Sequence, residues 1–156
     1  MKRIFLIDYE NVDTPGLNGV SKLNVNDEVY IYYSEKHSRM TFGLHRRICE
    51  SSANFYYRKI KDDRKNALDN ELIKELKNIS DLNSKAYYTI ISKDKGYNNT
   101  IKELIRHGIK VDMFETISDN NRLIKEELRK KIKERLIEDS KRPYNLTDDE
   151  YDKFLE

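Results

Sequence analysis

The sequence predicts an α/β fold in which helices cover a mostly parallel sheet of five strands. Short apolar runs rich in β-branched and aromatic residues recur along the chain, and segments with helical periodicity separate them. The residues are 37% hydrophobic and 37% charged, which is typical of a globular protein with a heavily charged surface. The length of 156 residues fits one domain with an appended element.

Five apolar runs are interpreted as strands. They lie at residues 4–7, 29–33, 54–58, 87–91 and 110–114, with 54–58 the weakest. Most of these runs are continuous rather than alternating, as expected for strands that are covered on both faces of a parallel sheet.

Helical spacing of apolar residues separates most of these strands. It occurs at residues 40–49, 67–76 and 101–105, and the last of these helices ends at His107-Gly108. Residues 14–23 contain one proline and two glycines, which predicts a loop with at most a short helix. Strands that alternate with helices indicate a doubly wound parallel sheet.

The last third of the chain has a different pattern. Residues 122–142 predict a long amphipathic helix with nine basic and five acidic residues, ended by Pro143. Residues 144–156 form a tail with five acidic residues and one lysine. We therefore divide the chain into a domain at 1–117 and a C-terminal helix and acidic tail at 118–156. The helix either packs on the domain or contacts a nucleic acid, a protein partner or a second copy.

Composition excludes several classes of protein. No segment approaches the ~18 apolar residues of a membrane span. The apolar run at 4–7 is too short for a signal peptide, so a cytoplasmic location is expected. The single cysteine, Cys49, excludes an intramolecular disulfide and a cysteine-rich zinc site. Glycine-rich phosphate-binding motifs are absent, which argues against a nucleotide-triphosphate enzyme.

Three aspartates are the candidate functional residues. Asp8 follows the first strand, Asp94 follows the fourth, and Asp69 lies one turn into a helix. If the first and fourth strands are neighbours, Asp8 and Asp94 meet where ligands bind in such sheets. Clustered carboxylates repel one another, and Mg²⁺ or Mn²⁺ would relieve that repulsion and activate water for phosphodiester cleavage. Taken singly, each aspartate also fits a turn, cap or helix-dipole role.

Three motifs resemble those of a known family. The segment Asp8-Tyr9-Glu10-Asn11 resembles the D-x-x-N motif of NYN domains, which belong to the PIN-like nuclease superfamily. Residues 65–69, KNALD, resemble the family's K-x-x-x-D helix motif, and residues 92–97, SKDKGY, resemble its S-x-D-x-D/G-[FY] motif. The order and spacing agree over residues 1 to about 115.

The resemblance implies a three-layer PIN-like Rossmannoid with strand order 3-2-1-4-5 and RNA cleavage dependent on Mg²⁺ or Mn²⁺. It implies Asp8, Asp69 and Asp94 as metal ligands, with Asn11 orienting Asp8 or a metal-bound water. Many relatives carry a further acid after the third motif, where this sequence has Gly96 and Asn98. Glu10, or more weakly Glu35, is a candidate to supply that missing carboxylate.

A basic stretch precedes the helix that carries Asp69. Residues 36–65 contain nine Lys or Arg and three acids, and Arg64 and Lys65 are the candidates to neutralise a scissile phosphate. The leading hypothesis is a metal-dependent endoribonuclease, with DNA open as an alternative substrate. The competing hypotheses are a catalytically weak RNA-binding or regulatory module of the same fold, and a toxin or defence effector restrained by a partner on the C-terminal helix.

Overall fold

Five strands form one parallel sheet, as the sequence predicts. The computed structural model describes residues 1–140. The strands are β1 (Arg3–Asp8), β2 (Glu28–Ser34), β3 (Asn54–Ile60), β4 (Tyr87–Ile91) and β5 (Lys110–Phe114). Their order is β3-β2-β1-β4-β5, and every neighbouring pair is parallel. The predicted fold class and strand order are therefore confirmed.

Five α-helices accompany the strands. They are α1 (Tyr9–Gly16), α2 (Phe42–Glu50), α3 (Ala67–Leu82), α4 (Tyr97–Arg106) and α5 (Ile117–Ser140). Two short 3-10 helices lie at Val20–Lys22 and Glu35–His37. Gly108 has a φ of 84°, which confirms the predicted glycine stop after α4.

Helix α1 is the element that the sequence interpretation missed. It begins at Tyr9, directly after β1, and Asp13 interrupts it with a φ of 51°. Weak helix formers at its end pointed to a loop, but the burial of Tyr9 and Val12 against the sheet stabilises the helix. Asp8, the first residue of the D-x-x-N motif, therefore lies at a strand-to-helix junction.

Two apolar layers enclose the sheet. On one face, Ile4 and Leu6 of β1 pack with residues of α3 and α4, including Leu72. On the other face, Phe5 and Ile7 pack with residues of α1 and α2. All four of these β1 side chains are fully buried, which explains why this strand reads as a continuous apolar run.

The strand order places a reversal point beside β1. The chain continues from β1 to β2 on one side, whereas β4 pairs with β1 on the other side, with Ile7 opposite Ile91. The residues that follow these two strands therefore emerge side by side at the carboxyl edge. A ligand site is expected at this position in a doubly wound sheet.

The described chain divides into two compact units after Ser118. Helix α5 begins at Ile117, five residues before the predicted start at 122, and continues to Ser140. The predicted helix end at Arg142, Pro143 and the acidic tail at 144–156 lie outside the described residues. None of the helices within residues 1–140 combines the length and apolar composition needed to cross a lipid bilayer.

Candidate active site

Asp8 is the last residue of β1, and its side chain is almost completely buried. Only 3% of Asp8 is exposed. Its Oδ2 accepts a hydrogen bond from Ser92 Oγ at 2.9 Å, and the Tyr97 hydroxyl lies 3.4 Å from the same oxygen. Ser92, itself 1% exposed, directly follows β4, so the neighbouring strands β1 and β4 place donor and acceptor together. The strand ends thus fix the orientation of the Asp8 carboxylate.

Tyr97 connects Asp8 to the second aspartate. It is the first residue of α4, and its hydroxyl donates to Asp69 Oδ1 at 2.9 Å. Asp69 lies in the first turn of α3. Burial and the charges of Asp8 and Asp69 raise the pKa of Tyr97, so this hydroxyl remains a proton donor. Two carboxylates from different elements are therefore held around one phenol.

Asp94 lies in the loop between β4 and α4 and is oriented by that loop. Its backbone N–H donates to Ser92 Oγ at 3.0 Å, and the Gly96 N–H donates to Asp94 Oδ1 at 2.8 Å. A Cβ at position 96 would stand only 3.0 Å from that carboxylate oxygen. Glycine at 96 is therefore what allows the backbone to approach Asp94 so closely.

Each of the three aspartates keeps one carboxylate oxygen without a hydrogen bond. Within residues 1–140, the hydrogen bonds of Asp8 fall on Oδ2, whereas those of Asp69 and Asp94 fall on Oδ1. All three side chains line one cleft of about 850 Å³, together with Glu10; we call it the carboxylate cleft. The arrangement leaves three oxygen ligands available in one cleft.

Electrostatic repulsion is evident in this cluster. Burial, together with the charges of Asp69 and Glu10, raises the pKa of Asp8 to about 6. Burial and the charges of Asp94 and Glu10 also raise the pKa of Asp69. Burial and the neighbouring negative charges thus oppose the ionisation of Asp8 and Asp69, and a bound cation would relieve that cost.

The donor chemistry of the cleft fits a hard divalent cation. Among residues 1–140, no three His, Cys, Asp or Glu side chains already stand around a single ion position. The available ligands are nevertheless all carboxylate oxygens, which Mg²⁺ and Mn²⁺ prefer. Asp8, Asp69 and Asp94, with Glu10 beside them, are the residues that would hold such an ion.

Asn11 contacts the loop that carries Asp94 rather than Asp8. Its side-chain oxygen accepts a hydrogen bond from the backbone N–H of Lys93 at 2.6 Å. The amide therefore fastens the start of α1 to the loop that carries Asp94, and its hydrogen bond does not go to Asp8. Its partner Lys93 directly precedes Asp94 and lies 82 residues from Asn11 in the chain, so the D-x-x-N spacing alone did not predict this contact.

The two candidate phosphate-binding residues differ in their surroundings. Arg64 donates to the Asp62 carboxylate through Nε at 2.9 Å, so its charge is already compensated. Lys65 is exposed, lines the carboxylate cleft and has no ion pair within residues 1–140. Of the two, Lys65 is therefore the one whose charge is not compensated within residues 1–140.

Glu10 and Glu35 both line the carboxylate cleft, but their surroundings differ. Neither Gly96 nor Asn98 lines the cleft in the part of the chain that the structure describes. Glu35 lines it but pairs with Lys59, which lowers the pKa of Glu35. Glu10 lines it without an ion pair among residues 1–140 and acts on both Asp8 and Asp69. Glu10 is therefore the better-placed fourth carboxylate.

Sequence reasoning missed three polar residues at this edge of the sheet. Ser92 and Tyr97 belong to the SKDKGY motif, but neither was predicted to hydrogen-bond an aspartate. Ser34, at the end of β2, lines the cleft, and its buried Oγ has no hydrogen-bond partner among residues 1–140. Ser34 and Ser92 carried a readable signal, because each lies at the end of a strand or just after it, as Asp8 does, whereas Tyr97 begins α4.

Comparison with known families agrees with this geometry. The family model of the PIN domain matches residues 2–114, nearly the whole unit that contains the sheet. The chain belongs to the PIN domain family, whose members are generally nucleases that use divalent metals. No curated protein and no solved structure shows significant similarity to the chain. The narrower resemblance to NYN domains stays a prediction.

Proposed function

We propose that this protein is a metal-dependent endoribonuclease that hydrolyses RNA phosphodiester bonds in the carboxylate cleft. The observation that carries the proposal is the set of three aspartates, each anchored through one oxygen and open through the other. A divalent cation would draw the open oxygens together, while the hydrogen bonds to the other oxygens limit how far each carboxylate moves. Membership of the PIN domain family supports the same class of chemistry.

A divalent cation held by Asp8, Asp69 and Asp94 would supply positive charge to the phosphate and make a nearby water more acidic. The protein's own contribution is to keep its ligands in place. The Ser92 hydroxyl donates a hydrogen bond to Asp8 and accepts one from the backbone N–H of Asp94. Tyr97 holds Asp69 and Asp8 at a fixed separation. These contacts pre-organise the carboxylates before a substrate arrives.

Lys65 is proposed as the side chain that neutralises the substrate phosphate. It precedes the helix that carries Asp69, and it is exposed at the rim of the carboxylate cleft. A lysine at this position attracts the phosphate without competing for the cation, because it has no lone pair to offer when protonated.

Divalent-dependent cleavage of labelled RNA tests the proposal. The parent chain is expected to cut RNA with Mg²⁺ or Mn²⁺ and to stop in EDTA. Asp8→Asn and Asp94→Asn should lose at least about a hundredfold in rate, as the loss of a ligand or its orientation does. Asp81→Asn, an exposed acid at the end of α3, is the matched control and should cut like the parent. Undiminished cleavage in EDTA would reject the proposal.

One observation favours a second candidate function, a PIN-like module that binds RNA without cutting it. The positions where many relatives place another acid are Gly96 and Asn98, and neither supplies a carboxylate. This alternative predicts that the parent chain binds RNA, that binding survives Asp8→Asn, and that no divalent ion produces cleavage. The same RNA and the same variants therefore separate the two candidates.

A further inference from the structure

A second groove lies beside the carboxylate cleft, between β3 and α3. It has a volume of about 850 Å³ and is lined by residues 57–62 of β3 and its loop, and by one face of α3 that carries Asn70, Lys74 and Asn78. We call it the β3–α3 groove. The two concavities share the segment from Ile60 to Ala67, so a chain that leaves the cleft can pass directly into the groove.

The two concavities carry opposite charge. Seven acidic and four basic side chains line the carboxylate cleft. Six basic and three acidic side chains line the β3–α3 groove. The cleft thus has a formal excess of three negative charges, and the groove has an excess of three positive charges. The carboxylate cleft therefore attracts cations, whereas the β3–α3 groove attracts an anionic polymer.

Half of the basic side chains in the groove are free to meet an external anion. Arg58 pairs with Glu75 at 2.9 Å, and Lys59 and Arg64 have carboxylate partners on neighbouring residues of the fold. The three remaining cations are exposed and have no ion pair within residues 1–140: Lys61, Lys65 and Lys74. Lys61 and Lys65 lie on the shared segment, whereas Lys74 lies further along α3.

We infer that the β3–α3 groove binds the phosphodiester backbone of a single nucleic-acid strand on one side of the bond that is cut in the carboxylate cleft. The inference rests on the proposed function, because the cleft supplies the cutting point. A single strand is favoured because Asp8 is only 3% exposed. A flexible strand brings its phosphate towards so recessed a carboxylate more readily than a rigid duplex does.

Binding of a labelled RNA of about twenty nucleotides tests the groove without any cutting. Fluorescence anisotropy in EDTA compares the parent chain, the double variant Lys61→Glu/Lys74→Glu, and the matched double variant Lys85→Glu/Lys102→Glu. Lys85 and Lys102 are exposed and line neither concavity. The groove variant should bind at least about tenfold more weakly, and its salt dependence should flatten by about 1.4 in slope for two lost contacts.

Equal affinities for the two double variants, or no RNA binding by the parent chain, would overturn the inference. A blunt duplex of equal length that binds as tightly as the single strand would overturn the single-strand assignment. A trinucleotide is too short to fill the groove, so its cleavage tests the proposed function of the carboxylate cleft without testing the groove. If Asp8→Asn abolishes that cleavage while the groove variant binds long RNA normally, the groove assignment alone fails.

Discussion

The Tyr97 hydroxyl stands 2.9 Å from Asp69 Oδ1 and 3.4 Å from Asp8 Oδ2, so one phenol lies between two carboxylates. Asp8 ends β1 and Asp69 lies in α3, so the two acids are 61 residues apart in the chain. Tyr97 therefore acts as a positioning residue that spaces these acids, and its single hydroxyl proton is shared between them with the shorter bond to Asp69.

Tyr97→Phe is expected to lower both stability and activity. Loss of hydrogen bonds to charged groups should reduce the free energy of unfolding by about 2 kcal/mol, measured by urea denaturation. The rate of RNA cleavage should fall about tenfold or more, because the variant no longer fixes two ligands. Tyr88→Phe is the matched control, since Tyr88 is equally buried but donates to the Asn83 carbonyl. Equal activity losses in both variants would contradict this role.

Asp8→Asn is expected to stabilise the metal-free protein at neutral pH while abolishing activity. The pKa of Asp8 is about 6 in the folded protein and 3.8 as its ordinary value. Between those values the folded state holds a proton that the unfolded state has released. The contribution of Asp8 to stability is therefore fully present below pH 3.8 and is lost as the pH rises through 6.

Across the full pH range, the raised pKa of Asp8 changes the free energy of unfolding by about 3 kcal/mol. Urea denaturation in EDTA at pH 4.5 and 7.5 should record about 2 kcal/mol of this change, because Asp8 in the unfolded chain is already mostly ionised at pH 4.5. Over this range the free energy of unfolding should fall more for the parent chain than for Asp8→Asn. The stability of the variant relative to the parent therefore increases as the pH rises. If the stabilities of the two proteins change in parallel, the burial and repulsion assigned to Asp8 are contradicted.

Asn11→Ala is expected to loosen the loop that carries Asp94. It removes the acceptor for the Lys93 N–H, which is now bound at 2.6 Å. Because this bond is exposed, the free energy of unfolding should fall by only about 1 kcal/mol. Hydrogen exchange at the Lys93 amide should accelerate, and cleavage should slow. Asn11→Asp keeps an acceptor at the same position and should restore the protection of this amide; failure to do so would argue against the contact.

Gly96→Ala is expected to weaken metal binding without straining the backbone. Gly96 has a φ of −59°, which alanine adopts readily, but its Cβ would stand 3.0 Å from Asp94 Oδ1. Asp94 must therefore shift, and calorimetry should show about tenfold weaker Mn²⁺ affinity. Gly43→Ala in α2 is the control, because the nearest atom to its Cβ would be 3.8 Å away. Unchanged Mn²⁺ affinity in Gly96→Ala would show that Asp94 is not a ligand.

The sequence was sufficient to predict the sheet and the positions of its strand-end acids. Continuous apolar runs such as residues 4–7 marked the buried strands, and Asp8 and Asp94 followed from the rule that ligands bind at carboxyl ends. Their proximity depended on β1 and β4 being neighbours, which the resemblance supplied and the structure confirmed. Periodicity alone does not determine which strands are adjacent.

The hydrogen bonds between the acids and their neighbours were not predictable from spacing. The partners Asp8 and Ser92 are 84 residues apart, and Asn11 and Lys93 are 82 apart. Arg64 looked available because local sequence does not show that the preceding turn brings Asp62 against its guanidinium. Tyr97 fits both a packing role and a polar role, and only the position of its hydroxyl decides between them.

The central place of β1 has a consequence for how this protein can change. Asp8 ends a strand that is paired on both sides and buried on both faces, so exposing it requires the whole sheet to open. The segment from Lys61 to Asn66 is mostly exposed and tolerates replacement more easily. Mutations in this segment can therefore change which nucleic-acid strands bind, while the positions of the aspartates in the cleft stay the same.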